Sequence, residues 1–169
     1  IASKVSQYTK KERQELEAMP QLVNDQTTRI ETADTLIEML SLEEKLESFS
    51  VTAELLKTML SSFLIDKEYA SASRMLNAFR EQVSKDNSSA KHKEKIETIL
   101  KDIGNTEIIN QLIDSMAAGK EGERIYQCFQ LLGDLAITPL LETLAQENEM
   151  ARRKIICSIL TKIGEGDLD

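Results

Sequence analysis

The sequence predicts an all-α protein, and three observations carry that reading. Glycine and proline number only 6 and 2, aromatic residues make up 4% of the chain, and tryptophan is absent. Sheet proteins draw more heavily on turn glycines and on aromatic and β-branched residues. Apolar residues recur at three- and four-residue spacing along most of the chain, which is the period of a helix with one buried face. One apolar template, lying 8, 5, 4 and 1 positions before a glycine, occurs three times.

The elements follow in order. The polar opening reads as a helix: Thr9-Lys10-Lys11-Glu12 fits a capping box, with Thr9 as the cap and Glu12 reaching back. Pro20 ends that helix, and residues 21–27 read as a linker. Ile30, Ala33, Ile37 and Leu40 mark the next helix. Ser41-Leu42-Glu43-Glu44 fits a second capping box, with Leu42, Leu46 and Phe49 continuing an apolar stripe. Ser50 opens the following helix, whose broad apolar face is Leu55, Leu56, Met59, Leu60, Phe63 and Leu64. Asp66-Lys67 is a short turn, after which Tyr69, Ala72, Met75, Leu76, Phe79 and Val83 carry another helix. Asp86-Asn87-Ser88-Ser89 is the clearest polar break.

Beyond residue 90 the pattern becomes regular. Ile96, Ile99, Leu100 and Ile103 precede Gly104. Ile125, Cys128, Phe129 and Leu132 precede Gly133, and Ile156, Ile159, Leu160 and Ile163 precede Gly164. The glycines are 29 and 31 residues apart, and each stands where a helix C-cap favours a left-handed residue. A second helix lies between successive glycines. Asn105 caps one that carries Ile108, Ile109, Leu112, Ile113 and Met116 and ends at Ala117-Ala118-Gly119. Thr138-Pro139 reads as the cap and first residue of another, in which Leu140, Leu141 and Leu144 face inward, and Asn148 begins the last helix. Each unit is thus an antiparallel helix pair that buries its face only by stacking on a neighbour.

On these residues the chain resembles the HEAT-repeat family. The best unit runs from Ile137 to Gly164, with a proline in its first helix at Pro139, Asn148 near the family's turn Asp, Arg153 at the repeat's usual arginine, and Ile159-Leu160 and Ile163-Gly164 as its ending. The unit at 106–133 lacks the proline and has Gly122 in the arginine's place. The resemblance covers about 105–164, and it extends over 67–104 if helices 68–84 and 90–103 form another pair. A competing pairing of 51–65 with 67–84 resembles a tetratricopeptide hairpin. The resemblance implies a right-handed α-solenoid of HEAT-like helix pairs with a helical N-terminal extension. Its divisions are 1–49 as the extension, 50–104 as degenerate pairs and 105–169 as HEAT-like repeats.

Charge and composition exclude several functions. With 29 acids against 21 bases the formal net charge is −8, which argues against a nucleic-acid or anionic-membrane binder. Hydrophobic residues at 41% are too many for a disordered chain. No apolar run is long enough for a transmembrane helix, and no signal peptide opens the chain. The opening Ile1-Ala2-Ser3, without an initiator Met, reads as an excerpt of a longer protein. Two cysteines are too few for a disulfide framework, so a reducing cytoplasm is expected.

No constellation of catalytic residues emerges. His92 is the single histidine, and within Lys91-His92-Lys93 it reads as a surface residue. Cys128 falls on the apolar template and reads as a core thiol, with Cys157 one flank off the core line and partly exposed. Gly119-Lys120 is followed by Glu121, not the Ser or Thr of a phosphate loop. Glu43 and Glu47 share a solvated helix face. Arg152-Arg153-Lys154 opens a helix, where the dipole disfavours cations. This points to pairing with acids between repeats or, less favoured, to contact with an acidic partner. No cofactor or metal is expected.

The exposed face follows from rotation at 100° per residue. Positions 3, 6 and 10 before each glycine oppose the core line: Lys101, Thr98 and Glu94; Gln130, Gln127 and Glu123; Thr161, Ser158 and Lys154. The row is polar, small and mixed in charge, and the resemblance implies that it lines the concave side. The expectation is a non-enzymatic interaction module, a scaffold or regulatory segment that binds a protein or peptide through Glu94, Glu123, Gln127, Gln130, Lys154 and Ser158. The alternatives are an enzyme on a HEAT-like frame, of the DNA-repair or lyase kind, and a helical oligomerisation segment.

Overall fold

The computed structural model describes residues 26–166. The capping box at Thr9–Glu12 and the stop at Pro20 lie outside the described residues. Among the described residues there are eight helices and no strand: α1 Gln26–Leu42, α2 Leu46–Ile65, α3 Tyr69–Ser84, α4 Ala90–Ile103, α5 Thr106–Ala117, α6 Gly122–Leu132, α7 Asp134–Gln146 and α8 Met150–Gly166. The chain divides into two compact units, Ile1–Thr35 and Leu36–Asp169. Helices α2 to α8 belong to the second unit. In the first unit, Thr32 bonds back to the Thr28 carbonyl at 2.7 Å and Thr35 to that of Glu31 at 2.9 Å. Both are the i−4 pattern that lets a threonine sit inside a helix.

The all-α expectation therefore holds, and most helices lie where their apolar spacing puts them. The boundaries around residue 45 differ. Helix α2 begins at Leu46, not Ser50, because Phe49 belongs to its own core stripe of Phe49, Ala53, Leu56, Leu60 and Phe63. Ser41 is inside α1, where its hydroxyl bonds to the Glu38 carbonyl at 2.7 Å, and it caps nothing. Glu43 accepts from the Lys45 amide at 2.9 Å in the link before α2, whose first turn has no side-chain cap. Leu42, read as part of a buried stripe, is 73% exposed. The turn at Asp66-Lys67 is present, with Lys67 in the left-handed region at φ 61. The polar break before α4 is also present, and Ser89 caps that helix by accepting the His92 amide at 3.2 Å.

The second unit has two packing groups. Helices α2, α3 and α4 pack on one another. Helices α5 to α8 form the other group, with α5 beside α7 and α8, α6 beside α8, and smaller contacts of α5 with α6 and of α6 with α7. The groups meet where α3 lies along α6, the most extensive helix contact in the unit. Thus 69–84 and 90–103 do pack together, but α4 buries Ile96, Ile99, Leu100 and Ile103 in its own group. It does not stack on α6 as a preceding repeat would.

Three local readings fail together at the glycines. Of the three template glycines, only Gly133 has a positive φ, at 55. Gly104 has φ −74. Its lack of a side chain makes room, since a Cβ there would lie 3.3 Å from the Leu100 carbonyl and 3.6 Å from that of Leu135. Gly164 sits inside α8, which continues to Gly166. Because Gly133 serves both as C-cap of α6 and N-cap of α7, α7 starts at Asp134. Pro139 is therefore an interior helix residue, not the first. Leu140 is buried as assigned, but Leu141, the adjacent residue 100° round the helix, is 50% exposed, contrary to its inward assignment. The helix after it opens at Met150, not Asn148.

The α3–α6 seam is stitched by polar groups. The Arg80 guanidinium donates from Nε to the Leu131 carbonyl at 2.5 Å and from Nη2 to that of Leu132 at 2.6 Å. It thereby satisfies two of the orphan carbonyls at the C-terminus of α6. Ser73 Oγ lies 3.3 Å from Cys128 Sγ of α6, and beside the seam the Tyr69 hydroxyl donates to Ser115 Oγ of α5 at 2.7 Å. Cys128 is fully buried, as its template position requires, and Cys157 is exposed.

Burial pushes the Tyr69 phenol and the Cys128 thiol above their ordinary values of 10.0 and 9.0. The hydrogen bond to Asp102 raises the Lys57 ammonium above 10.5. In all three cases the folded chain holds its proton more tightly than the unfolded chain. The associated stability is complete below the unfolded values and is lost as pH rises through the folded ones. Melting temperature is accordingly expected to fall above about pH 9. Tyr69→Phe should flatten the part of the decline that begins near the phenol's range, and a melting temperature constant up to about pH 11 would refute this assignment.

Candidate interaction face

The face begins with the buried sides of four helices: Ile109, Leu112 and Ile113 of α5, Ile125, Phe129 and Leu132 of α6, Ala136 and Leu140 of α7, and Ile156, Ile159 and Ile163 of α8. Leu160, the fourth template position of the last helix, is only partly buried. Asn105 caps α5, accepting from the Ile108 amide at 3.0 Å as its position predicts.

With these sides turned inward, Glu123, Gln127 and Gln130 of α6 and Lys154 and Ser158 of α8 are exposed, and Thr161 is on the same side. Contact between α6 and α8 brings the two sets together. Tyr126 Oη lies 2.7 Å from Ser158 Oγ, and Lys162 Nζ sits 3.7 Å from the centre of the Tyr126 ring. The cation over the ring and the hydroxyl pair tie the two helices edge to edge. The sequence reading does not single out Tyr126 and Lys162. The available signal is that each flanks a row position, one residue before Gln127 and four after Ser158. Glu94, Thr98 and Lys101 of α4 are exposed too, but α4 packs on α2 and α3. Glu94 therefore does not share the ordered edge that joins α6 to α8.

The basic cluster that opens α8 is mostly consumed by structure. Arg152 pairs with Glu147 at 2.5 Å and with Asp114 of α5. Arg153 Nη1 donates to the carbonyls of Leu144 at 3.0 Å and Glu147 at 2.8 Å, capping the end of α7. These bonds resolve the dipole conflict, because the charges are neutralised or spent on orphan carbonyls. Lys154 is the member of the cluster left on the exposed face.

Among the concavities of the described residues, two adjoin α4. A groove of about 910 Å³ between α2, α4 and the start of α5 holds the Lys57–Asp102 pair at 2.6 Å, and Gln111 at its edge donates to the Leu64 carbonyl at 3.0 Å. The other lies beside His92. That residue, expected on the surface, is only 8% exposed. Its ring stands edge-on to Phe49 with centroids 4.2 Å apart, and its Nδ1 is bonded to Ser89 Oγ. The third position of α4 points into the α2–α4 contact, so the flanking lysines give a misleading impression of exposure. Among the described residues, no group of three or more His, Cys, Asp or Glu side chains could hold a metal. No single helix there is long and apolar enough to cross a membrane, and only the α6 and α7 pair, bent by 114° at Gly133, meets the length and composition together. Comparison with known proteins finds no matching family model, no matching curated protein and no matching solved structure.

Proposed function

We propose that the chain is a non-enzymatic interaction module, a scaffold or regulatory segment that binds a partner protein or peptide along the face of its second helices. In this reading residues 105–169 are HEAT-like repeats of a right-handed solenoid, residues 50–104 are degenerate pairs, residues 1–49 are an N-terminal extension, and the two unpaired thiols fit a reducing compartment such as the cytoplasm. The observation that supports it is the side-by-side placement of α6 and α8. It collects Glu123, Gln127, Gln130, Lys154 and Ser158 into one exposed strip of amide, hydroxyl and mixed charge, anchored by the Tyr126–Ser158 contact. Such groups match the hydrogen-bonding surface of a polypeptide, and the strip lacks the basic excess that nucleic acid demands. HEAT-like helix pairs use surfaces of this kind, and Glu94 on α4 is the outlying member of the proposed set.

The test is affinity capture from lysate with quantitative mass spectrometry, comparing wild type with a variant carrying Gln127→Glu, Lys154→Glu and Ser158→Glu. Circular dichroism establishes that the variant is folded. A protein retained by wild type and lost from the variant, then shown to bind the purified chain directly, supports the reading. Partners that persist unchanged make the strip an ordinary solvated surface, and the absence of any enriched protein removes the scaffold role.

A further inference from the structure

Helix α2 packs on α3 and α4 through one side. Its outer side carries Val51, Leu55 and Ile65, which are 59%, 51% and 61% exposed. With Thr58 and Ser62 between them they recur at alternating steps of four and three residues, the repeat of a seam between two helices. The hydroxyls of the two polar members are already spent. Thr58 Oγ donates to the Glu54 carbonyl at 3.1 Å, and Ser62 Oγ donates to the Asp66 carboxylate at 3.4 Å. Covering the seam therefore strands neither of them. The N-terminal half of the seam is hollowed, with Ser50, Val51, Glu54, Leu55 and Thr58 lining a depression of about 360 Å³. Val51, Glu54, Leu55 and Thr58 stand at i, i+3, i+4 and i+7, the four corners of the hole that receives a side chain from a facing helix.

We propose that this face is covered by α2 of a second copy of the chain, running antiparallel about a two-fold axis at Thr58. Charge selects both the occupant and the direction. Exposed Glu47 stands in the first turn of α2, and exposed Lys67 directly follows its last. An antiparallel copy sets Lys67 of each chain opposite Glu47 of the other, and the two helix dipoles oppose favourably. A parallel copy would instead set Glu47 on Glu47 and Glu54 on Glu54. In the antiparallel register Val51 faces Ile65 of the second copy, and Leu55 and Glu54 face its small Ser61 and Ser62. Glu54 brings no unpaired charge, because Lys95 holds it at 2.5 Å and Lys57 lies 4.0 Å away. The seam runs for about 20 Å of helix. That places the interface at the low end of stable sizes, and a dissociation constant on the order of 10–100 µM is expected. The inference goes beyond the α6–α8 strip and does not depend on it.

The experiment is analytical ultracentrifugation of the full 169-residue chain from about 1 µM to about 1 mM, with circular dichroism to establish that each variant is folded. Wild type is expected to show a reversible monomer–dimer equilibrium. Leu55→Glu, at an exposed position, should weaken it by at least about tenfold. Glu47→Lys and Lys67→Glu should each weaken it by about five- to tenfold, since each sets like charges together at both ends of the pair. An equimolar mixture of those two variants should regain the wild-type association, because in the mixed pair each residue 47 again meets the opposite charge at residue 67. A chain that stays monomeric to about 1 mM overturns the proposal and leaves the face to the helix of a different protein or to solvent. Association that Leu55→Glu leaves unchanged overturns it by placing the contact elsewhere, and a mixture no tighter than its separate components overturns the antiparallel pairing.

Discussion

Gly133→Ala is expected to destabilise the chain by about 3 kcal/mol, from backbone strain and overpacking combined. Gly133 combines φ 55 with ψ −134, a region essentially closed to residues with a Cβ. A Cβ built there would also lie 2.7 Å from Arg80 Nη2, so the guanidinium would have to leave the carbonyls it caps. Arg80→Ala alone is expected to cost about 2 kcal/mol, because it strands two partly buried carbonyl bonds made by a charged donor. The informative quantity is the double variant. With Arg80 gone the steric part of the Gly133→Ala penalty disappears and only the dihedral strain remains. The combined loss should therefore be smaller than the sum by about 1–2 kcal/mol. Denaturant unfolding of the four chains measures this, and simple additivity would mean that the glycine is needed for its dihedrals alone.

Phe129→Ala is expected to cost about 4 kcal/mol. Phe129 is fully buried on α6, the helix that packs on α3 on one side and on α8 on the other. Removing its ring opens a cavity where the two packing groups meet, a place that cannot collapse without moving both. Leu141→Ala, by contrast, should change stability by no more than about 0.5 kcal/mol, since an exposed side chain loses little on truncation. The two residues look alike in a hydrophobic profile, so the contrast between them tests which side of α7 faces the core. A Leu141→Ala loss comparable to that of Phe129→Ala would place Leu141 in the core.

The candidate face is legible in part from the sequence. The exposure of Glu123, Gln127, Gln130, Lys154 and Ser158 follows from rotation by 100° away from buried template positions, and rotation within one helix is a local property. The partners of those helices are not local. The α4 template is as regular as the α6 template, yet α4 turns its apolar line toward α2 and α3, so Glu94 is separated from the α6–α8 edge. The lysines beside His92 suggest solvent, but the decisive neighbour is Phe49, 43 residues earlier in the chain.

Helix content, most of the core stripes and the cap at Asn105 follow from the chain alone, because each depends on residues within a turn or two of one another. A scarcity of glycine and a 3.6-residue apolar period leave such a chain few alternatives to helices with one buried face. Gly104, Gly133 and Gly164 mark the boundary of that reasoning. The same apolar spacing precedes each, but one makes room for a neighbouring carbonyl, one turns the chain at positive φ, and one passes unnoticed inside α8. The difference comes from what the following residues pack against. The placement of Arg80 over the end of α6, and the choice of α3 as the neighbour of α6, arise from contacts roughly fifty residues apart in the chain. Such contacts are selected by the fit of whole helix faces against each other, a property that spacing along the chain does not encode.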